Sequence, residues 1–95
     1  MDRTIFKYSL DSGTVNDIQL PGNAKILSVA DQRGRLCLWA EVDRNSPSSW
    51  QKIAVVGTGW AIPERAGLVR KFIGTVMQNG GSLVWHIYHY EPKGD

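Results

Sequence analysis

The stretch RLCLWAEV at residues 35–42 decides the fold class. Its apolar residues fall on every second position: Leu36, Leu38, Ala40 and Val42 on one side, Arg35, Cys37, Trp39 and Glu41 on the other. Successive side chains of an extended chain point to opposite faces, so this alternation predicts a β-strand with one dry face. Outward from it, the same rhythm recurs. Residues 4–10 set Phe6, Tyr8 and Leu10 on one face, and 15–20 read as the returning partner strand. Further runs lie at 24–31, 50–57, 69–78 and 82–91. Turns separate them at Asp11-Ser12-Gly13, Pro21-Gly22-Asn23 and Gln32-Arg33-Gly34. The polar stretch 43–49 reads as a loop, Gly74 as a kink, and Asn79-Gly80-Gly81 as the strongest turn, of the primed hairpin kind. The chain between residues 60 and 67 is irregular, with room for one helical turn after Pro63, where proline suits a first helical position. Residues 92–95 are expected to fray.

Seven short strands without a helical period give a mainly β chain. The expectation is a single domain over residues 1–95, an antiparallel β-sandwich or partly open barrel. At most one short helix is expected, between Ile62 and Leu68. A chain of 95 residues, 42% of them hydrophobic, is too apolar for disorder. It still buries only about 60–65% of its unfolded surface, so its own core is modest. Eleven Lys and Arg against nine Asp and Glu leave a net charge of +2, too little for a phosphate-binding patch, so nucleic acid is not an expected partner. The single cysteine, Cys37, allows no internal disulfide and suits a reducing, cytosolic setting. No apolar run has the length of a signal peptide or membrane span, so no membrane partner is expected.

Four tryptophans are many for such a core. Each aromatic buries about 150–250 Å², so not all can hide, and a surplus indole points to a protein interface or to base stacking. Trp39 and Trp85 sit in alternating strands; Trp50 and Trp60 flank loops. Trp39 either faces the core or, if the leucine row is the core, needs cover from a second sheet or subunit. A homo-oligomer is therefore expected. The turn Gly57-Thr58-Gly59 offers consecutive N–H groups that suit an anion, although no lysine follows at P-loop spacing. If Arg35, Arg65 and Arg70, with Arg33 and Lys71, converged near Thr58 and an indole, they would make a pocket for a phosphorylated nucleotide. His86 and His89, three apart, fall on opposite faces of a strand and cannot share a metal. The carboxylates are scattered at strand ends, and Cys37 has no orienting group beside a histidine. Thus no catalytic residue, metal ligand or cofactor is assigned. The candidate binding residues are Trp39, Trp50, Gly57, Thr58, Gly59, Trp60, Arg35, Arg65 and Arg70.

Several pieces together carry a family likeness: IFKYSL at 5–10, LPGNAKILSV at 20–29, LCLWAEVD at 36–43, VGTGWAIP at 56–63 and FIGTVMQNGGSLVWHIY at 72–88. In that order they resemble a family of small proteins encoded by bacteriophages and prophages, and the likeness covers nearly the whole chain. Members often carry histidine after the Gly-Thr-Gly, where this chain has Trp60, so the resemblance assigns no imidazole chemistry there. It implies a viral accessory protein working in the host cytoplasm and implies no reaction. The leading expectation is a non-enzymatic protein that binds and inhibits a bacterial host or defence protein. The alternatives are an oligomer that sequesters a nucleotide immune signal, and a small structural or virion-associated module.

Overall fold

A computed structural model describes residues 2–94. The alternating runs form seven strands: β1 (Arg3–Ser9), β2 (Val15–Pro21), β3 (Lys25–Gln32), β4 (Arg35–Asp43), β5 (Ser48–Gly57), β6 (Leu68–Gln78) and β7 (Leu83–Pro92). They make two antiparallel sheets, β1-β4-β3 and β2-β5-β7-β6, which are not closed into a barrel. The architecture is therefore a small β-sandwich. The expected pairing of β1 with the following strand does not occur: β1 pairs with β4, and β2 with β5. The corner at residues 11–14 carries the chain from one sheet to the other instead of folding it back. Asn16 holds that corner. Its Oδ1 accepts the Asp11 N–H (2.7 Å), and its Nδ2 donates to the Asp11 and Ile53 carbonyls. Thus a buried amide with every polar atom partnered ties the corner to β5.

The leucine row of β4 faces inward. Leu36, Leu38, Ala40 and Val42 form the core with Leu10, Ile53, Val55, Val76, Trp85 and Ile87. Trp39 consequently lies on the outer face of the three-stranded sheet, half-buried, opposite Lys7 and Ser28. Cys37 shares that face but is buried. The Lys7 ammonium reaches across it from β1 to Gln32 on β3 (2.8 Å). The kink expected at Gly74 is a register shift between Phe72 and Gly74. A Cβ on Gly74 would stand 3.2 Å from Val29 Cγ2, so the missing side chain lets β3 approach β6.

Three local expectations need correction. No helical turn follows Pro63; the short helix is a 3-10 turn at Asn79–Gly81, inside the β6–β7 hairpin. Between turns at 58–60 and 66–67, residues 61–65 instead run without regular structure across the outer face of the four-stranded sheet. There Ile62 packs with Ala54, Val56, Tyr88 and Tyr90, and the Tyr90 hydroxyl donates to the Pro63 carbonyl. A helix would have lifted Ile62 off this second small core. The positive φ of the primed turn is present at Asn79 and Gly80, but Gly81 is also positive and four residues separate the paired Gln78 and Leu83. Nor is residue 92 frayed. Pro92 is in register with Leu68, and the Lys93 N–H bonds the Gly67 carbonyl (3.0 Å). Residue 95 lies outside the described residues.

Candidate functional site

β5 ends at Gly57, and a tight turn follows in which the Trp60 N–H bonds back to the Gly57 carbonyl (3.1 Å). Gly59 takes φ 86°, a left-handed value that costs glycine nothing. Gly57 is needed for a different reason. A Cβ there would sit 2.7 Å from Cε2 and 2.9 Å from Nε1 of Trp60, so the indole lies directly on the backbone. A Cβ on Gly13, in the β1–β2 corner, would stand 3.2 Å from the far edge of the same ring. Beneath it Trp85 meets Trp60 edge-on, with centroids 5.6 Å apart at 83°. The buried Trp85 directs its Nε1–H to Gln78 Oε1 (2.9 Å). Trp60 thus caps one end of the sandwich and remains 54% exposed.

On the outer face beside this cap, His86 bridges two hydroxyls. Its Nε2 is 2.7 Å from Thr58 Oγ1, and its Nδ1 is 3.0 Å from Thr75 Oγ1. Thr75 is the register partner of His86 on β6, whereas Thr58 arrives from the glycine turn. A neutral imidazole donates through one nitrogen and accepts through the other, so one threonine donates to the ring and the other receives from it. Two concavities flank the turn and share Gly57, Thr58 and Trp60. One, of about 310 Å³, continues along Ser82, Leu83 and Val84; the other, of about 250 Å³, continues to Ile62, His86 and Tyr88. Phe72 packs edge-on against Tyr88 (5.6 Å), and the Arg70 guanidinium stands 5.8 Å from the same ring. Phe72, Met77 and Leu83 are all exposed, Met77 by 64%.

Of the residues expected at a site, Gly57, Thr58, Gly59 and Trp60 come together at this corner. Of the others, Arg70 reaches only the Tyr88 ring at the border of the second concavity, and the rest do not join them. Trp39 is on the opposite sheet. Trp50, 68% exposed, lies in register with Gln19, short of the part of β5 that pairs with β7. The arginines do not converge into a phosphate cradle. Arg35, on β4, pairs with Asp11 (3.4 Å); Arg70 pairs with Glu64 (2.8 Å); Arg65 donates to the Glu64 carbonyl (2.9 Å). Sequence reading missed His86 as the partner of Thr58, Thr75 on its other nitrogen, and Phe72 beside Tyr88. Their closeness depends on the β6–β7 register and on the bulge beside Phe72, which moves the strand's alternation by one residue.

His86 and His89 do face opposite ways. His89 points between the sheets at the far end, where its Nε2 meets Gln51 Oε1 (2.9 Å) and its Nδ1 lies 3.6 Å from Glu91. Burial lowers its pKa, Glu91 works against that shift and Lys71 adds to it. Among the described residues no group of three or more His, Cys, Asp or Glu side chains is placed to hold a metal, and no helix is long and apolar enough to cross a membrane.

Fold and corner define a two-sheet antiparallel β-sandwich with a glycine-seated indole at one end. Residues 1–95 match the profile of DUF7352, a domain of unknown function, and the chain belongs to that family. No curated protein and no solved structure matched it.

Proposed function

We propose that this chain is a phage-type accessory protein of the bacterial host cytoplasm that acts by binding a host or defence protein, without a reaction of its own. The observation that carries this reading is the apolar strip at the glycine corner. Trp60 and Leu83 are exposed on two concavities that adjoin there, and Phe72 and Met77 are exposed on β6, opposite the β7 residues Tyr88 and Val84 that line them. A large exposed apolar patch is costly to a monomer and usual at a contact surface, where an indole is a frequent anchor. Trp60 suits that role because Gly57, Gly13 and Trp85 hold its ring in place before any partner arrives. The Thr58–His86–Thr75 array adds polar groups at the strip's centre that can orient a partner. The resemblance to phage and prophage proteins supports the cellular setting. The nucleotide-sequestering alternative receives no such support, because Arg35 and Arg70 are each committed to a carboxylate.

The test uses native mass spectrometry of the protein purified from infected bacteria, alongside the double variant Phe72→Lys/Met77→Lys. Both side chains lie on the solvent face of the sheet, so the variant should melt within a few degrees of the wild type. The expected result is a bound bacterial protein retained by the wild type and lost from the variant. A partner held equally by both would overturn the reading, as would a wild-type protein recovered with no bacterial protein bound.

A further inference from the structure

Four strands form the sheet edges: β1 and β3 in one sheet, β2 and β6 in the other. An edge presents a row of free N–H and C=O groups, which proteins commonly guard with bulges, prolines or charges. β3 is bulged at Ile26/Ser28, β6 is bulged at Phe72/Gly74, and β2 ends in Pro21. β1 runs through seven residues in unbroken register with neither device. It carries two cations, but both are drawn back over the sheet. Arg3 Nε donates to Glu41 on β4, and Lys7 Nζ donates to Gln32 on β3. What remains at the edge is apolar: Ile5 is 57% exposed, and Phe6, although on the core side of the sheet, is 40% exposed.

The backbone is arranged for a further strand. The Leu10 N–H bonds the Leu36 carbonyl and the Arg44 N–H bonds the Asp2 carbonyl, both in the register of the β1–β4 ladder. Bonded pairs alternate in an antiparallel ladder, so the even residues of β1 bond to β4. Arg3, Ile5, Lys7 and Ser9 therefore direct their N–H and C=O groups away from the sheet.

We infer that β1 is a self-association edge: two copies of this chain join antiparallel along it, about a twofold axis at Phe6, into one continuous sheet. Strand length and charge together select that axis, since a centre at Thr4 or Tyr8 would pair only three residues of β1 with their copies. With Phe6 on the axis, Ile5 faces Lys7 of the second copy, Thr4 faces Tyr8 and Arg3 faces Ser9, so no like charges meet. An axis at Ile5 would set Arg3 against Lys7, and one at Lys7 would set Lys7 against itself, both unfavourable cross-strand pairs. At the Phe6 axis the two rings become a close, non-bonded cross-strand pair, while the odd residues on either side supply the ladder bonds. The edge involves none of the corner residues, so this inference stands or falls apart from the proposed host partner.

The test is native mass spectrometry and sedimentation velocity on the purified protein at micromolar concentration, with three variants. Wild type should be a dimer. Ile5→Pro removes an outward N–H that β4 does not use, and it should weaken the dimer by at least about tenfold in Kd while the monomer stays folded. Phe6→Cys should form an inter-chain disulfide on mild oxidation, because residues facing across an antiparallel pair have Cβ atoms roughly 4.5–5.5 Å apart. Ser9→Cys should not, since its counterpart on the second copy lies about six residues, roughly 20 Å, along the ladder. A monomeric wild type, a dimer indifferent to Ile5→Pro, or equal cross-linking through positions 6 and 9 would overturn the inference.

Discussion

Gly57 shows how a missing atom can place a functional side chain. Its φ is not in the left-handed region, so the turn itself does not demand glycine. The demand comes from Trp60, whose indole occupies the space of a Cβ. Gly57→Ala must therefore expel the ring or deform the end of β5, and overpacking of this kind typically costs about 1–3 kcal/mol. The expected outcome is a lower denaturation midpoint together with a red-shifted tryptophan emission, as Trp60 leaves Trp85 for water. A double-mutant cycle with Trp60→Ala checks the cause. In that background the alanine at position 57 meets no ring, so its cost should disappear and the chain should gain up to about 1 kcal/mol from the reduced freedom of the unfolded state. Equal costs in both backgrounds would show that Gly57 serves the backbone and not the indole. The glycine pair was visible in the sequence as a strand terminator; its role as a seat for Trp60 was not, because nothing local reveals that an aromatic three residues on folds back over its own strand.

At the scale of elements, the hairpins show which signals sequence carries and which it does not. The β3–β4 connection has two residues between the paired Gln32 and Arg35, and both Arg33 (φ 53°) and Gly34 (φ 86°) are left-handed. This is the primed geometry that matches strand twist, and it is held by the Asp31 carboxylate accepting the Gly34 N–H (3.3 Å). Arginine is a poor choice for its first central position, since a side chain pays about 1–2 kcal/mol for left-handed φ, whereas asparagine visits it readily. Arg33→Asn should therefore stabilise the chain by about 0.5–1 kcal/mol, which raises the Tm by roughly 2–8 °C in a domain of this size. Differential scanning calorimetry would check it; an unchanged or lower Tm would mean that the exposed Arg33 side chain contributes more than its backbone costs. The Asn79-Gly80 pair, the better sequence signal, sits in a four-residue loop instead. Alternation located all seven strands because a half-buried strand must repeat every second residue. Gly74 marked the irregularity at Phe72/Gly74, but nothing marked the bulge at Ile26/Ser28, where one extra residue resets the repeat, nor the choice of β4 as the partner of β1. Pairing is a long-range decision, made here by which faces can be buried together. The alternation also separated Trp39 from the leucine row without showing which side was inside.

Over the whole molecule, Cα extents of 42 × 33 × 16 Å describe a slab two sheets thick, and its two ends are finished differently. Trp60 and Trp85 close one end. At the other, concavities of about 270 and 390 Å³ reach in towards His89, lined by Ala24 and Glu91 in both and by Lys25 and Lys71 or Gln51 and Leu20 in one or the other. This end should set the acid limit of stability. Burial holds the His89 imidazole below its ordinary value; Glu91 acts in the opposite sense and Lys71 in the same sense, with Lys25 bordering the same cavity. Because the folded pKa is depressed, the unfolded chain takes up the proton first as the pH falls. Stability conferred by the neutral ring is then whole above about pH 6.5, the unfolded value, and declines as the pH drops through the lower folded one. His89→Gln keeps a polar side chain in reach of Gln51 but cannot titrate. Urea midpoints measured from pH 7.5 to 5.5 should fall for the wild type and stay nearly level for the variant. Parallel curves from pH 7.5 downward would place the sensitivity elsewhere.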